Sequence, residues 1–297
     1  MLSLLYIRWH VDPVLIHIGS FGLRWYSLLF VSGFIIGWFI VRNQFRREHV
    51  SETLLDPLLY TLLIGTIVGA RLGHCIFYDP AYYFGSWQGF AEVFMPWKGG
   101  LASHGGTIVL FFALMWYAHR YGPRNGFDFM WLLDHICIPV ALTACLIRCG
   151  NLFNSEIYGF ETSLPWGMVY ELRGETVPRH PTQMYEALTY LLLFVLLSLL
   201  YKYKLDKMYR GTFIGIFFVV CFGVRFCIEY VKDTLVPWPG LTSLTMGQIL
   251  SIPFVLLGAG ILIWAFIKKI PARAEPPQQS SGPSKKEPTH YARSLVK

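Results

Sequence analysis

The chain has 297 residues, of which 54% are hydrophobic, 17% aromatic and only 14% charged, with a mean hydropathy of +0.45. Soluble domains carry about a quarter charged residues, so the composition excludes an ordinary soluble protein and describes a polytopic membrane protein. The net charge of +7 is accounted for by where basic residues fall relative to the membrane, and no nucleic-acid binding is read from it.

The first twenty residues contain Arg8, His10, Asp12, Pro13 and His17 and lack a basic stretch leading into a clean apolar core. This predicts no cleavable signal, and an extracytoplasmic amphipathic segment ahead of the first span. Apolar runs near 22–41, 58–78, 104–118, 129–148, 184–201, 211–231 and 247–267 then predict an all-α protein of about seven transmembrane helices. The third run is short and begins in glycine-rich sequence. One set of connections holds Arg42, Arg46, Arg47, Arg120, Arg124, Lys202, Lys204, Lys207, Arg210 and the basic residues from Lys268 to Lys297. The opposite set holds Arg8, Lys98, Arg173 and Arg179. Positive loops face the cytoplasm, which predicts the N-terminus outside and the C-terminus inside. A single membrane domain is expected over 1–270, followed by a disordered cytoplasmic tail over 271–297, rich in Pro, Ser and Lys. No internal repeat is visible. Two outward segments, 79–103 and 149–182, are long for mere connections. The six cysteines lie in or beside the spans without metal-ligand spacing; free, buried thiols and no metal or other cofactor are expected.

Basic side chains inside or at the ends of apolar runs are Arg24, Arg71, Arg148, Arg225 and Lys232. A guanidinium near mid-bilayer costs about 2.5–3.5 kcal/mol on insertion scales, which predicts anionic work for such residues. Arg148 opens the polar run Arg148-Cys149-Gly150-Asn151-Leu152-Phe153-Asn154-Ser155-Glu156. Guanidinium forks match phosphate, and Asn151, Asn154 and Glu156 stand ready to orient them, so a membrane-embedded site for a phosphate-bearing lipid is expected. The alternative is an interfacial anchor with Arg148 snorkelling outward. Arg225 and Glu229 are four apart on one helical face, suiting either a structural ion pair or a second phosphate-directed guanidinium. His104, in Lys98-Gly99-Gly100-Leu101-Ala102-Ser103-His104-Gly105-Gly106, opens the third span, where the positive helix end suits an anion and disfavours imidazolium. It reads either as a proton acceptor or as a capping residue beside a tight glycine turn. Arg179-His180-Pro181 through Glu186 opens the fifth span, where these residues are expected to cap and orient the helix, a direct catalytic role being the alternative. Tyr26, in Arg24-Trp25-Tyr26, is either a belt residue or a ligand contact. A nucleophilic Cys149 is disfavoured, since no base adjoins it.

Taken together, these motifs, with Gly69-Ala70-Arg71-Leu72-Gly73, the run from Arg148 to Gly159, and Met246 through Ser251, resemble the prolipoprotein diacylglyceryl transferase family from about Asp12 to Ile267. Within the pattern, Ile147 stands where the family usually has glycine, Leu152 where it has phenylalanine, Lys232 where arginine is common and Cys221 where tyrosine is expected. The resemblance implies a bacterial inner-membrane enzyme of lipoprotein maturation, working towards the outer leaflet. Its donor would be phosphatidylglycerol and its acceptor the lipobox cysteine of a preprolipoprotein. The thiol attacks the glycerol carbon, glycerol phosphate leaves and a diacylglyceryl thioether forms. His104, Arg148 and Arg225 are then the expected catalytic residues, with Tyr26, Asn151, Asn154, Glu156, Gly159 and Glu229 completing the substrate site. The chain has no lipobox of its own near its start, as befits the modifying enzyme. A lipid transporter and a membrane scaffold are the competing classes; only a transferase adds mass to a cysteine peptide.

Overall fold

A computed structural model describes residues 6–19, 21–233 and 244–275. In hydrocarbon a helix satisfies its own backbone, so the apolar runs fold as helices whose ends are set by local caps. The helices are α1 (Trp25–Arg47), α2 (Leu55–Phe77), α3 (Pro80–Gly85), α4 (Trp87–Val93), α5 (Ser103–Asn125), α6 (Phe129–Phe153), α7 (Thr182–Lys204), α8 (Thr212–Ile228) and α9 (Met246–Lys268), with the short α3 and α4 lying in the connection between the second and third runs. The Asp128 side chain caps α6 by accepting from Trp131 N–H, and Thr245 and Gln248 form a reciprocal capping box on α9. Gly126, with φ of 74°, ends α5 in the left-handed conformation that suits a helix C-terminus.

Six of the long helices are apolar enough to cross a bilayer: those covering α1, α2, α6, α7, α8 and α9. The seventh long helix, α5, spans 23 residues but is less apolar. It packs along α2 through glycine. A Cβ on Gly73 would lie 2.5 Å from Gly105 Cα, and one on Gly69 would lie 2.7 Å from Gly105 O. Backbones this close tolerate no side chain, the usual device for associating helices where lipid gives no hydrophobic drive.

The N-terminal segment, expected to be amphipathic, forms strands. The hairpin β2 (Val14–Ile18) and β3 (Phe21–Arg24) leads directly into α1. Strand β1 (Ile7–Trp9) pairs in parallel with β4 (Met168–Tyr170), tying the N-terminus to the long segment between α6 and α7. All six cysteines are free; four are buried, Cys149 is half-buried and Cys227 is exposed, so the expectation of uniform burial fails at those two.

At one end of the bundle the basic loops meet. The buried Glu48 carboxylate accepts from the Trp131 indole (2.9 Å), the Tyr201 hydroxyl (2.7 Å) and Ala274 N–H (2.8 Å), and lies 2.6 Å from His135 Nε2. Arg210 pairs with Asp128, and Arg273 with Asp206. Thus the chain from Pro271 to Glu275 is strapped onto this end. The remainder of the tail expected to be disordered lies outside the described residues.

Candidate active site

The opposite end gathers the starts of α1, α5, α7 and α9 and the ends of α2, α6 and α8. The α1 start packs on the α6 end: Trp25 stacks on Phe153 at 4.8 Å, and a Cβ on Gly150 would lie 2.8 Å from the Tyr26 ring. The Trp9 indole donates to Leu152 O at 3.0 Å, adding β1 to the same wall.

Arg148 lies in the last two turns of α6. Its Nε is in ion-pair contact with Glu186, one turn into α7, and its Nη1 donates to Asn151 Oδ1 at 3.3 Å. Glu186 is shared. Lys232 Nζ donates to Glu186 Oε1 at 2.8 Å and lies 3.6 Å from Glu229 Oε2. These carboxylates and ammonium are buried, with side chains 1% (Glu186), 4% (Lys232) and 7% (Glu229) exposed, whereas Arg148 is 15% exposed. Charges this deeply buried persist only when paired.

A second group holds Glu156. Its Oε1 accepts from the Asn151 amide at 2.8 Å and from the Asn154 amide at 3.1 Å. The Gln183 amide donates to Glu156 O at 2.6 Å, and the Tyr170 hydroxyl fixes Gln183 at 3.0 Å. Ser155 and Ile157, on either side of Glu156, have φ of 50° and 62°. Left-handed backbone at a β-branched residue costs about 1–3 kcal/mol and survives only where neighbours over-determine it. Here the Thr182 hydroxyl holds Ile157 O at 2.6 Å. Asn151 connects the two groups, so Arg148 and Glu156 belong to one network.

Arg225 is half-buried and carries no ion pair or side-chain hydrogen bond among the described residues. It shares its surroundings with Arg148 and Glu186: all three lie within electrostatic reach of the Tyr190 hydroxyl and the Cys221 thiol. The Arg225–Glu229 pair that the spacing suggests does not form. Helix α8 ends at Ile228, and Glu229 enters a tighter turn that directs it to Lys232 and against Gly247, where a Cβ would lie 2.3 Å from Glu229 Oε1.

Tyr26 lies within the field of both Glu156 and Arg148. Gly159 is enclosed; a Cβ there would meet Val231 O at 2.1 Å, and its N–H donates to His180 O at 2.8 Å. Burial pushes the His180 imidazole down from its usual value. His104 is exposed in the first turn of α5, at the same end, with no hydrogen bond or ion pair to the arginines among the described residues. Sequence reading missed the bridging role of Glu186. The signal was an acidic residue a turn inside an apolar helix, which is costly without a partner.

Fold and site define a polytopic helical membrane protein with a network of buried, paired charges at one end of its bundle. A sequence model of the family described as prolipoprotein diacylglyceryl transferase matches residues 13–264. The chain is 42% identical over 265 residues to the phosphatidylglycerol–prolipoprotein diacylglyceryl transferase of Tolumonas auensis, covering 89% of this chain and 99% of that one. It is 42% identical over 280 residues to the enzyme of that name from Porphyromonas gingivalis (89% and 95%), and 38% identical over 275 residues to that of Bacteroides fragilis (90% and 98%). This chain belongs to the prolipoprotein diacylglyceryl transferase family.

Proposed function

We propose that the protein transfers the diacylglyceryl group of phosphatidylglycerol to the thiol of a preprolipoprotein's lipobox cysteine, at the outer leaflet of the bacterial inner membrane. Family membership supports the reaction, and the gathering of basic loops at the strapped end supports the orientation. One observation carries the assignment of the site. Arg225 has no anionic partner among the described residues, yet shares its surroundings with Arg148. A half-buried guanidinium without a carboxylate is suited to an anion brought by the substrate.

In this reading the lipid phosphate binds between Arg225 and the free face of Arg148, while Glu186 keeps Arg148 from swinging outward. Tyr26, Asn151, Asn154 and Glu156 orient the headgroup; Glu229 and Gly159 hold the surrounding backbone and Lys232. A lipobox thiol near pKa 8.5 is only a few per cent thiolate at neutral pH, so it needs a base. His104 takes that proton. The sulfur attacks the glycerol carbon, the carbon–oxygen bond to phosphate breaks, and the electron pair leaves on the phosphate oxygen. The arginines stabilise the charge that develops there.

The test is to incubate the purified protein with phosphatidylglycerol and a lipobox peptide and to weigh the peptide. A mass gain of one diacylglyceryl group with release of glycerol phosphate is expected. Arg148→Ala should abolish it while remaining in the membrane, and Arg148→Lys should rescue poorly because one point charge cannot replace a fork. Movement of unmodified lipid across the bilayer with no peptide gain would instead favour a transporter.

A further inference from the structure

Arg71 was expected, as an arginine inside an apolar run, to meet an anionic ligand. It does not. Its side chain is buried, 3% exposed, near the end of α2, and it donates to four backbone carbonyls and to the Tyr83 hydroxyl (3.4 Å). Nε donates to Val93 O at 3.1 Å, Nη2 donates to Glu92 O, and Nη1 reaches Gly99 O at 2.6 Å and Gly100 O at 3.2 Å. The guanidinium also lies over the Tyr83 ring, 4.9 Å from its centre. Burying a charge this completely is costly, so the contacts that hold it must fix whatever supplies the carbonyls.

What they fix is the entry to α5. Gly99 and Gly100 both have left-handed backbone, with φ of 88° and 70°, and turn the chain back towards α2. Two residues on, Ala102 N–H donates to Ala70 O at 2.9 Å. Gly105 then lies against Gly69 and Gly73 with no room for a side chain. The two glycine motifs of the sequence therefore fit one another: residues 69–73 of α2 form a cradle for residues 99–106. His104 is the one imidazole in that cradled segment, and it projects from it exposed.

We propose that Arg71 is a positioning residue for His104: it pins the Gly99–Gly100 turn and so sets where the first turn of α5 presents the imidazole. The inference rests on the reading of His104 as the base. Arg71 itself touches no substrate. Replacing it by lysine keeps a positive charge but not a fork able to serve four carbonyls. Gly100→Ala disturbs the same turn from the other side, since its Cβ would lie 2.5 Å from the His74 ring and 2.8 Å from Arg71 Nη1 at a φ that L residues rarely adopt. Small misplacements of a reacting group cost on the order of 100-fold.

The experiment measures kcat and KM for phosphatidylglycerol with the full chain and a lipobox peptide. Arg71→Lys and Gly100→Ala are assayed alone and combined with His104→Gln, using only variants whose unfolding midpoints match the parent. Each single change should lower kcat about 10- to 100-fold with KM within about twofold, and each should add less than about twofold to His104→Gln. Full kcat in Arg71→Lys, or losses that multiply undiminished onto an impaired His104→Gln, would overturn the positioning role alone. A fully active His104→Gln would overturn the base assignment and the positioning role with it. If Arg71→Lys does not fold, Gly100→Ala carries the same cycle.

Discussion

Glu186 holds Arg148 and Lys232 at once, and few single carboxylates in the molecule are so deeply enclosed. Glu186→Gln removes the shared counter-charge and leaves Lys232 with Glu229 and Arg148 with the neutral Asn151 amide. Breaking such a pair from one side costs about 3–5 kcal/mol. Denaturant unfolding in detergent micelles should show a loss of that size, together with weaker transfer; unchanged stability would mean that the pair is solvated in the membrane. Arg148, Asn151, Asn154 and Glu156 could be read together because they are neighbours in one run of chain. Glu186 and Lys232 could not, because the contacts that give them a role come from other parts of the fold. The Arg225–Glu229 spacing misled for a definite reason: i, i+4 partnership needs an unbroken helix, and α8 ends between them.

Between elements, glycine decides how closely the backbones run. Gly105→Ala would bring a Cβ within 2.3 Å of Gly69 O and 2.5 Å of Gly73 Cα, neither of which can move without separating α2 from α5. The variant should be poorly folded and inactive. Gly223, inside α8, has nothing within 4 Å of its would-be Cβ. Gly223→Ala should therefore be neutral or stabilising by about 0.5–1 kcal/mol, as for glycine in a helix interior. Side-by-side unfolding midpoints check both, and equal effects would contradict the cradle. The long helices were legible because length and hydropathy are local properties of a run of sequence. The strands were not. β1 and β4 are three residues each, and their pairing joins positions 7–9 to 168–170, a relation no local pattern carries.

Across the whole molecule, charge is sorted to the two ends: basic loops around Glu48 at one, the paired network of Arg148 and Glu186 at the other. The strap at the basic end makes a pH dependence of its own. Burial acts to raise the Glu48 carboxyl, but the His135 charge and the hydrogen bonds from His135, Ala274 and Tyr201 outweigh it and hold the carboxyl at about 2, below the ordinary 4.5. A depressed folded value stabilises the protein above about pH 4.5, and that contribution is lost as pH falls from there towards about 2. Unfolding midpoints taken from about pH 6 down to about pH 3 should therefore fall more steeply for the parent than for Glu48→Gln, which should already be weaker at neutral pH. Parallel profiles would remove Glu48 as the source. The sorting of basic loops was evident from the sequence, but the ordered strap over Pro271–Glu275 was not. Its composition resembles a linker, and what orders it is Glu48, Met208 and Gly126 on distant parts of the chain.

In the proposed site guanidinium groups from two helices serve one lipid phosphate, and Arg225 offers the most direct test. Transfer from phosphatidylglycerol to a lipobox peptide should be followed by peptide mass for the parent and for folded Arg225→Gln. Loss of one donor to a developing oxyanion costs about 100- to 1000-fold, and a fall of that order is the expected result. Parental rates in Arg225→Gln would contradict it.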